Sequence, residues 1–106
     1  VIVLTTPCFA PGPGERAGPQ HEIQRAERLA QMQRDSVDAF NQSQPSAPAS
    51  IVDLQSITCD NGFTQTRDGI NWRPDGVHFS IDGAQIAARW LLSELPASAT
   101  SRLGLS

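Results

Sequence analysis

Two short runs of β-branched and apolar residues, Val1-Ile2-Val3-Leu4-Thr5 and Ile51-Val52-Asp53-Leu54, constrain this chain most. Neither alternates apolar with polar, as a half-exposed strand would. Continuous runs of this kind suit strands buried on both faces, as in a parallel sheet. Between them the pattern is helical. From Glu22 to Asn41, residues Ile23, Ala26, Leu29, Ala30, Val37 and Phe40 recur at three- and four-residue steps, with Met32 flanking. Glu22, Arg25, Glu27, Arg28 and Arg34 read as the solvated face. A second helix is expected from Ser80 to Leu95. Ser80 fits its N-cap, Asp82 its first turn, and Ala84, Ile86, Ala87, Trp90, Leu91 and Leu95 its apolar side. Pro96 ends it, and 97–106 reads as a small, polar, flexible tail.

The expected order is therefore strand, helix, strand, helix: a βαβα unit of an α/β protein with parallel strands. Two strands do not make a sheet with both faces covered. The expectation is a single partial domain over 1–106 that packs against further sequence, or pairs through its open strand edge. The lack of an initiating Met within an apolar run fits the same expectation.

Turn chemistry marks the connections. Six of the ten residues from Ala10 to Pro19 are Pro or Gly, which excludes regular structure there. That loop follows a strand, where α/β proteins place ligand sites, so it reads either as a substrate-facing flap or as a tolerated surface insertion. Gln44 to Pro48 is a linker, Cys59-Asp60-Asn61-Gly62 a turn, and Phe63 to Asn71 a loop. Asp53 reads as a cap or turn residue, and His21 as solvated near a helix start. Trp72 and Trp90 read as core or pocket wall.

Cys8 and Cys59 lie too far apart for a metal knuckle or a Cys-x-x-Cys redox site. Two free buried thiols remain open. The alternative is a disulfide, because each Cys follows a predicted strand and both fall at one sheet edge. A bridge implies an oxidising, extracytoplasmic setting. The net charge is -3 and the basic residues are scattered, so nucleic acid is not an expected partner. No apolar run approaches a membrane span.

The stretch that carries chemistry is Arg73-Pro74-Asp75-Gly76-Val77-His78-Phe79-Ser80. It places an acid and an imidazole three residues apart at a helix start. Nucleophilic hydrolysis needs a base and a group that fixes the tautomer of that base. Asp68-Gly69, Asp75-Gly76 and Asp82-Gly83 also recur at intervals of seven, which raises a calcium-binding alternative. That period fits neither an EF-hand loop nor a nonapeptide roll.

In order, the Thr-Thr-Pro-Cys-Phe strand end, the Arg-rich helix, Val-Asp-Leu, the Cys-Asp-x-Gly turn and Asp-Gly-Val-His-Phe-Ser resemble the C-terminal half of the SGNH (GDSL) hydrolases. Domains fused to membrane O-acyltransferases are among them. The resemblance implies a flavodoxin-like three-layer α/β/α sandwich, of which this chain is the C-terminal βαβα portion. It implies His78 as general base and Asp75 as the residue that orients it. It also implies an acyl-ester substrate, such as O-acyl groups on a carbohydrate or cell-surface glycan. No cofactor or metal is implied. The implied location is periplasmic, cell-surface or secreted, and the partners are the missing N-terminal half and a membrane acyltransferase domain. The family's Gly-Asp-Ser and Gly-x-Asn-Asp blocks are not in these residues. Ser36, in Arg34-Asp35-Ser36-Val37, lacks the preceding Gly and sits within a strong helical pattern. The chain alone is therefore expected to be inactive. A non-catalytic partner-binding module is the alternative.

Overall fold

Eight short elements follow one another in the computed structural model, which describes residues 1–12, 18, 21–59, 62–102 and 104. They are β1 (Ile2–Leu4), α1 (Ile23–Ser43), β2 (Ser50–Val52), α2 (Leu54–Thr58), β3 (Thr66–Arg67), β4 (Ile70–Asn71), α3 (Ile81–Glu94) and α4 (Ala97–Arg102). The class is mixed α/β, about half helix.

The two apolar runs do supply a parallel pair, with Ile2 opposite Ser50, Val3 opposite Ile51 and Leu4 opposite Val52, but β1 has no fully buried residue, and the second run leaves the strand after Val52 because Asp53 and Leu54 begin α2. The ladder continues past β1, since Thr5 N–H donates to Val52 O at 3.0 Å. α1 makes the crossover. Its end is set by Gln44 N–H donating to Phe40 O, with Pro45 following. Asn41 then holds the returning chain with both amide atoms, accepting from Ala49 N–H at 2.7 Å and donating to Ala49 O at 2.9 Å.

The expected loop over Phe63–Asn71 contains a small antiparallel hairpin, β3 with β4. Strands of two residues carry no readable period. Asp68 (φ 53°) and Gly69 (φ 76°) supply the left-handed pair that a tight hairpin turn needs. The segment expected to be a polar tail carries α4, with no buried residue.

Two apolar clusters form the interior. One joins Cys8, Ala26 and Cys59, with Ile23 and Phe63 against them. The other joins Ile57, Trp72 and Ile86, with Leu54, Ile70, Phe79, Ala87 and Trp90 against them. α3 seats on the hairpin side through Gly83, whose Cα approaches the Trp72 backbone so closely that a Cβ would lie 2.5 Å from Trp72 O.

The helical stripe of α1 is only partly buried. Ala26, Ala30 and Val37 are covered, while Leu29, Met32 and Phe40 each expose two-fifths or more of their surface. Leu29, Met32 and Phe40 therefore lie open on one part of α1, while Ala26, Ala30 and Val37 form its covered side and Ile23 packs on the Cys8–Cys59 cluster. The body is drawn out, 46 × 29 × 20 Å, with a radius of gyration of 15.3 Å. A compact chain of this length has about 13 Å. No further strand pairs with the outer edge of either sheet among the described residues, and at β1 Gln33 Nε2 donates to the outward Leu4 O at 3.3 Å.

Candidate functional site

The Asp75–His78 loop is built by local chemistry. Pro74 takes the second position of a turn closed by Gly76 N–H donating to Arg73 O at 2.9 Å. Gly76 sits at φ 77°, which other residues rarely adopt. The chain thus folds back so that Asp75 Oδ1 accepts from both Val77 N–H (2.8 Å) and His78 N–H (2.7 Å). Its other oxygen, Oδ2, meets His78 Nδ1 at 2.6 Å.

These three hydrogen bonds, the imidazole's foremost, hold the Asp75 carboxyl well below the usual carboxylate range. Asp75 is therefore ionised at neutral pH and acts only as acceptor. The ring nitrogen facing it must then be the donor. In a neutral imidazole this fixes the Nδ1–H tautomer and leaves Nε2 with its lone pair. The His78 side chain is 83% exposed, and Nε2 makes no hydrogen bond among the described residues. An oriented ring with an open basic nitrogen can take a proton from a hydroxyl that comes within reach.

The loop is anchored at both ends. On the C-terminal side, Ser80 N–H donates to Trp72 O at 2.8 Å, and Ser80 Oγ accepts from Gly83 N–H at 3.0 Å. Ser80 is thus the expected N-cap. On the other side, Ala10 N–H donates to Gly76 O at 2.9 Å. This contact places the loop beside the segment that follows β1, at the carboxyl end of the parallel strands, where open α/β sheets bind ligands.

Cys8 and Cys59 are disulfide-bonded, which settles the alternative of free thiols. The bridge joins the segment after β1 to the end of α2, as their shared sheet edge suggested. Around it lie residues that sequence reasoning missed. His21 is buried, not solvated: its Nδ1 lies 3.0 Å from Ala10 O and its ring stands edge-on to Phe9. Arg73 is 1% exposed and has no carboxylate within ion-pair distance among the described residues. Its guanidinium donates to Cys8 O through Nη1 and to Val77 O through Nη2 (2.9 Å) and Nε (3.3 Å). Phe9, Phe63 and Phe79 surround it, with ring centroids 5.1–5.3 Å from Cζ. Desolvation lowers the Arg73 pKa from its ordinary value, and the Asp75 charge partly offsets this. A signal existed: Phe9 adjoins Cys8, Phe63 lies four residues past Cys59, and a bridge brings both aromatics to one place.

Two charged residues also differ from expectation. Asp53 occupies the N-cap position of α2 but makes no cap bond with its side chain. Its carboxylate instead accepts from Thr5 Oγ1 at 3.0 Å and from Arg34 Nη2 at 2.9 Å. Arg34 is thereby half-buried against Asp53 rather than fully solvated, because Asp53 at the strand end offers it a charged partner. Ser36 lies on α1 with its hydroxyl donating to Met32 O, and no serine hydroxyl is bonded to His78 among the described residues.

The Pro/Gly flap lies mostly outside the described residues, as do Asp60 and Asn61 of the cysteine turn. Among the described residues, no three His, Cys, Asp or Glu side chains converge to hold a cation. Asp75 is engaged by His78 and Asp82 lies in the first turn of α3. Among the same residues, no helix is long and apolar enough to cross a membrane. A groove of about 780 Å³ lined by Val1, Ile2, Phe40, Pro48, Pro96 and Arg102 lies at the other, amino end of the strands, away from His78. No protein-family model, curated protein or solved structure matches this chain.

Proposed function

We propose that this chain is the C-terminal βαβα portion of an SGNH-type, flavodoxin-like α/β/α domain. It carries the base and the orienting acid of a serine esterase or O-acyltransferase. The observation that carries this reading is the geometry of Asp75, which grips its own loop amides with one oxygen and His78 Nδ1 with the other. The exposed stripe of Leu29, Met32 and Phe40 and the outer sheet edges, with which no further strand pairs among the described residues, support a larger domain that covers them.

In this reading the serine comes from sequence outside these 106 residues. His78 Nε2 removes its hydroxyl proton as Oγ bonds to the acyl carbon. The protonated ring then gives that proton to the departing alkoxide, leaving an acyl-enzyme. In the second half, a water or sugar hydroxyl yields its proton to Nε2 as its oxygen bonds to the acyl carbon, the bond from that carbon to serine Oγ breaks, and the imidazolium returns the proton to Oγ. Asp75 stays ionised and stabilises the imidazolium throughout. The disulfide suits an oxidising compartment, so the site acts outside the cytoplasm, on O-acyl groups of a carbohydrate or cell-surface glycan. A membrane acyltransferase domain is the accompanying partner.

The test is fluorophosphonate labelling and nitrophenyl acetate hydrolysis by the complete gene product. One serine outside residues 1–106 is expected to be labelled. His78→Ala is expected to lower turnover by on the order of 10⁶-fold. Residues 1–106 alone should do neither. A complete product that is neither labelled nor active removes the reading. The exposed α1 stripe would then favour a non-catalytic partner-binding module.

A further inference from the structure

Arg73 has an unusual environment for a cation. It is buried, it lacks a carboxylate partner among the described residues, and three phenylalanine rings enclose it. Burying an unpaired guanidinium is costly. Its fork is nevertheless well used, because two carbonyls from distant parts of the chain accept from it. Cys8 O belongs to the disulfide-anchored segment after β1, and Val77 O belongs to the loop between Asp75 and His78.

We infer that Arg73 is the positioning residue for His78. It ties the Val77 peptide, one residue before the imidazole, to the rigid Cys8–Cys59 staple. The staple fixes Cys8, Cys8 O fixes one arm of the fork, and the other arm fixes Val77 O. The Val77 N–H and the His78 N–H both bond Asp75 Oδ1, so the orientation of these peptides sets where the carboxylate sits. Two further contacts run in parallel. Ala10 N–H holds Gly76 O, and Phe79 packs both on the Arg73 guanidinium and edge-on to Trp72. Lysine cannot replace this arrangement. Its ammonium is a point donor and does not span two carbonyls from inside an aromatic enclosure as a planar fork does. A role confined to stability would leave the imidazole oriented in any variant that folds. A positioning role would not.

The role of Arg73 in catalysis rests on the esterase reading, but its effect on the imidazole does not. The experiment therefore reads the ring directly. ¹⁵N NMR of residues 1–106 at about pH 9, well above the ordinary imidazole range, reports the tautomer of His78. Free imidazole side chains favour Nε2–H, whereas the Asp75 contact selects Nδ1–H. The wild type is expected to be mainly Nδ1–H. Arg73→Lys and Arg73→Met are expected to revert His78 to mainly Nε2–H while the Cys8–Cys59 bridge and the far-ultraviolet spectrum persist. In the wild type, the Arg73 Nε–H is expected to exchange with solvent far more slowly than that of free arginine, which needs no folded variant.

A folded variant with the wild-type tautomer ratio overturns the inference, as does an Arg73 Nε–H that exchanges at the free rate. In the complete gene product, Arg73→Lys is expected to lower kcat by on the order of 100-fold with little change in KM. Lack of esterase activity in the wild-type product would remove the esterase reading and leave the tautomer result standing.

Discussion

Gly83→Ala should destabilise this protein, although the same change in most exposed helical positions stabilises. Alanine is favoured over glycine within helices by about 1 kcal/mol. Position 83 is the third residue of α3, and its missing side chain is where the helix meets the Trp72 backbone. A Cβ there would lie 2.5 Å from Trp72 O, 2.6 Å from Trp72 Cβ and 2.7 Å from Trp72 Cα. Ordinary carbon contacts need about 3.5 Å or more, so α3 must retreat by nearly 1 Å. Trp72 is fully buried and cannot yield, and backbone atoms do not rotate away as a side-chain tip would. The retreat stretches the 2.8 Å bond from Ser80 N–H to Trp72 O. Overpacking of this kind costs about 1–3 kcal/mol, and three unyielding atoms at 2.5–2.7 Å put this position in the upper part of that range, leaving about 1–2 kcal/mol after the propensity gain. With about 4 °C per kcal/mol for a chain of this length, the midpoint should fall by about 4–8 °C. Thermal unfolding followed by circular dichroism at matched pH, with urea titration alongside, measures it. A Gly83→Ala protein as stable as the wild type, or more so, would refute the close approach of α3 to Trp72.

Two other perturbations test the same framework. Reducing the Cys8–Cys59 bridge, or replacing both with serine, releases a loop of 51 residues and should cost roughly 4 kcal/mol on the chain-entropy account. Urea titrations with and without reductant check this, and Val77 and His78 amide exchange should accelerate alongside. Asp75 supplies a pH dependence. Its carboxyl is depressed in the folded state, so its contribution is present above the ordinary carboxylate range near pH 4 and is lost as pH falls further. Wild type should therefore exceed Asp75→Asn in stability at pH 5–7, and the difference should shrink steadily below about pH 4. A difference that grows on acidification would contradict the bonding around Asp75.

Some of this was open to reading from residues alone because it is local. Asp75 and His78 are three residues apart, Pro74 and Gly76 shape the turn between them, and Ser80 caps the helix that follows. Each interaction spans at most three residues, so a short window contains both partners. The strands Ile2–Leu4 and Ser50–Val52 were legible for a similar reason, since two continuous apolar runs pair in parallel with a helix between them. The hairpin Thr66–Asn71 was not, because two-residue strands have no period to detect.

The rest depended on contacts between distant parts of the chain. Cys8 and Cys59 were compatible with free thiols until the fold brought them together. His21 was buried by Phe9 and the Ala10 carbonyl, and Arg34 was half-buried against Asp53, 19 residues away. On α1 the helical period marked an apolar side, yet only packing decided that Ala26, Ala30 and Val37 would be covered and Leu29, Met32 and Phe40 left open. Arg73 is the clearest case. In the sequence it is only a basic residue ahead of Pro74, while its burial depends on Phe9, Phe63, Phe79 and the Cys8 carbonyl. A charge is buried when the whole fold surrounds it with partners, and partners 65 residues apart in the chain meet only after the strands, helices and disulfide have set their positions.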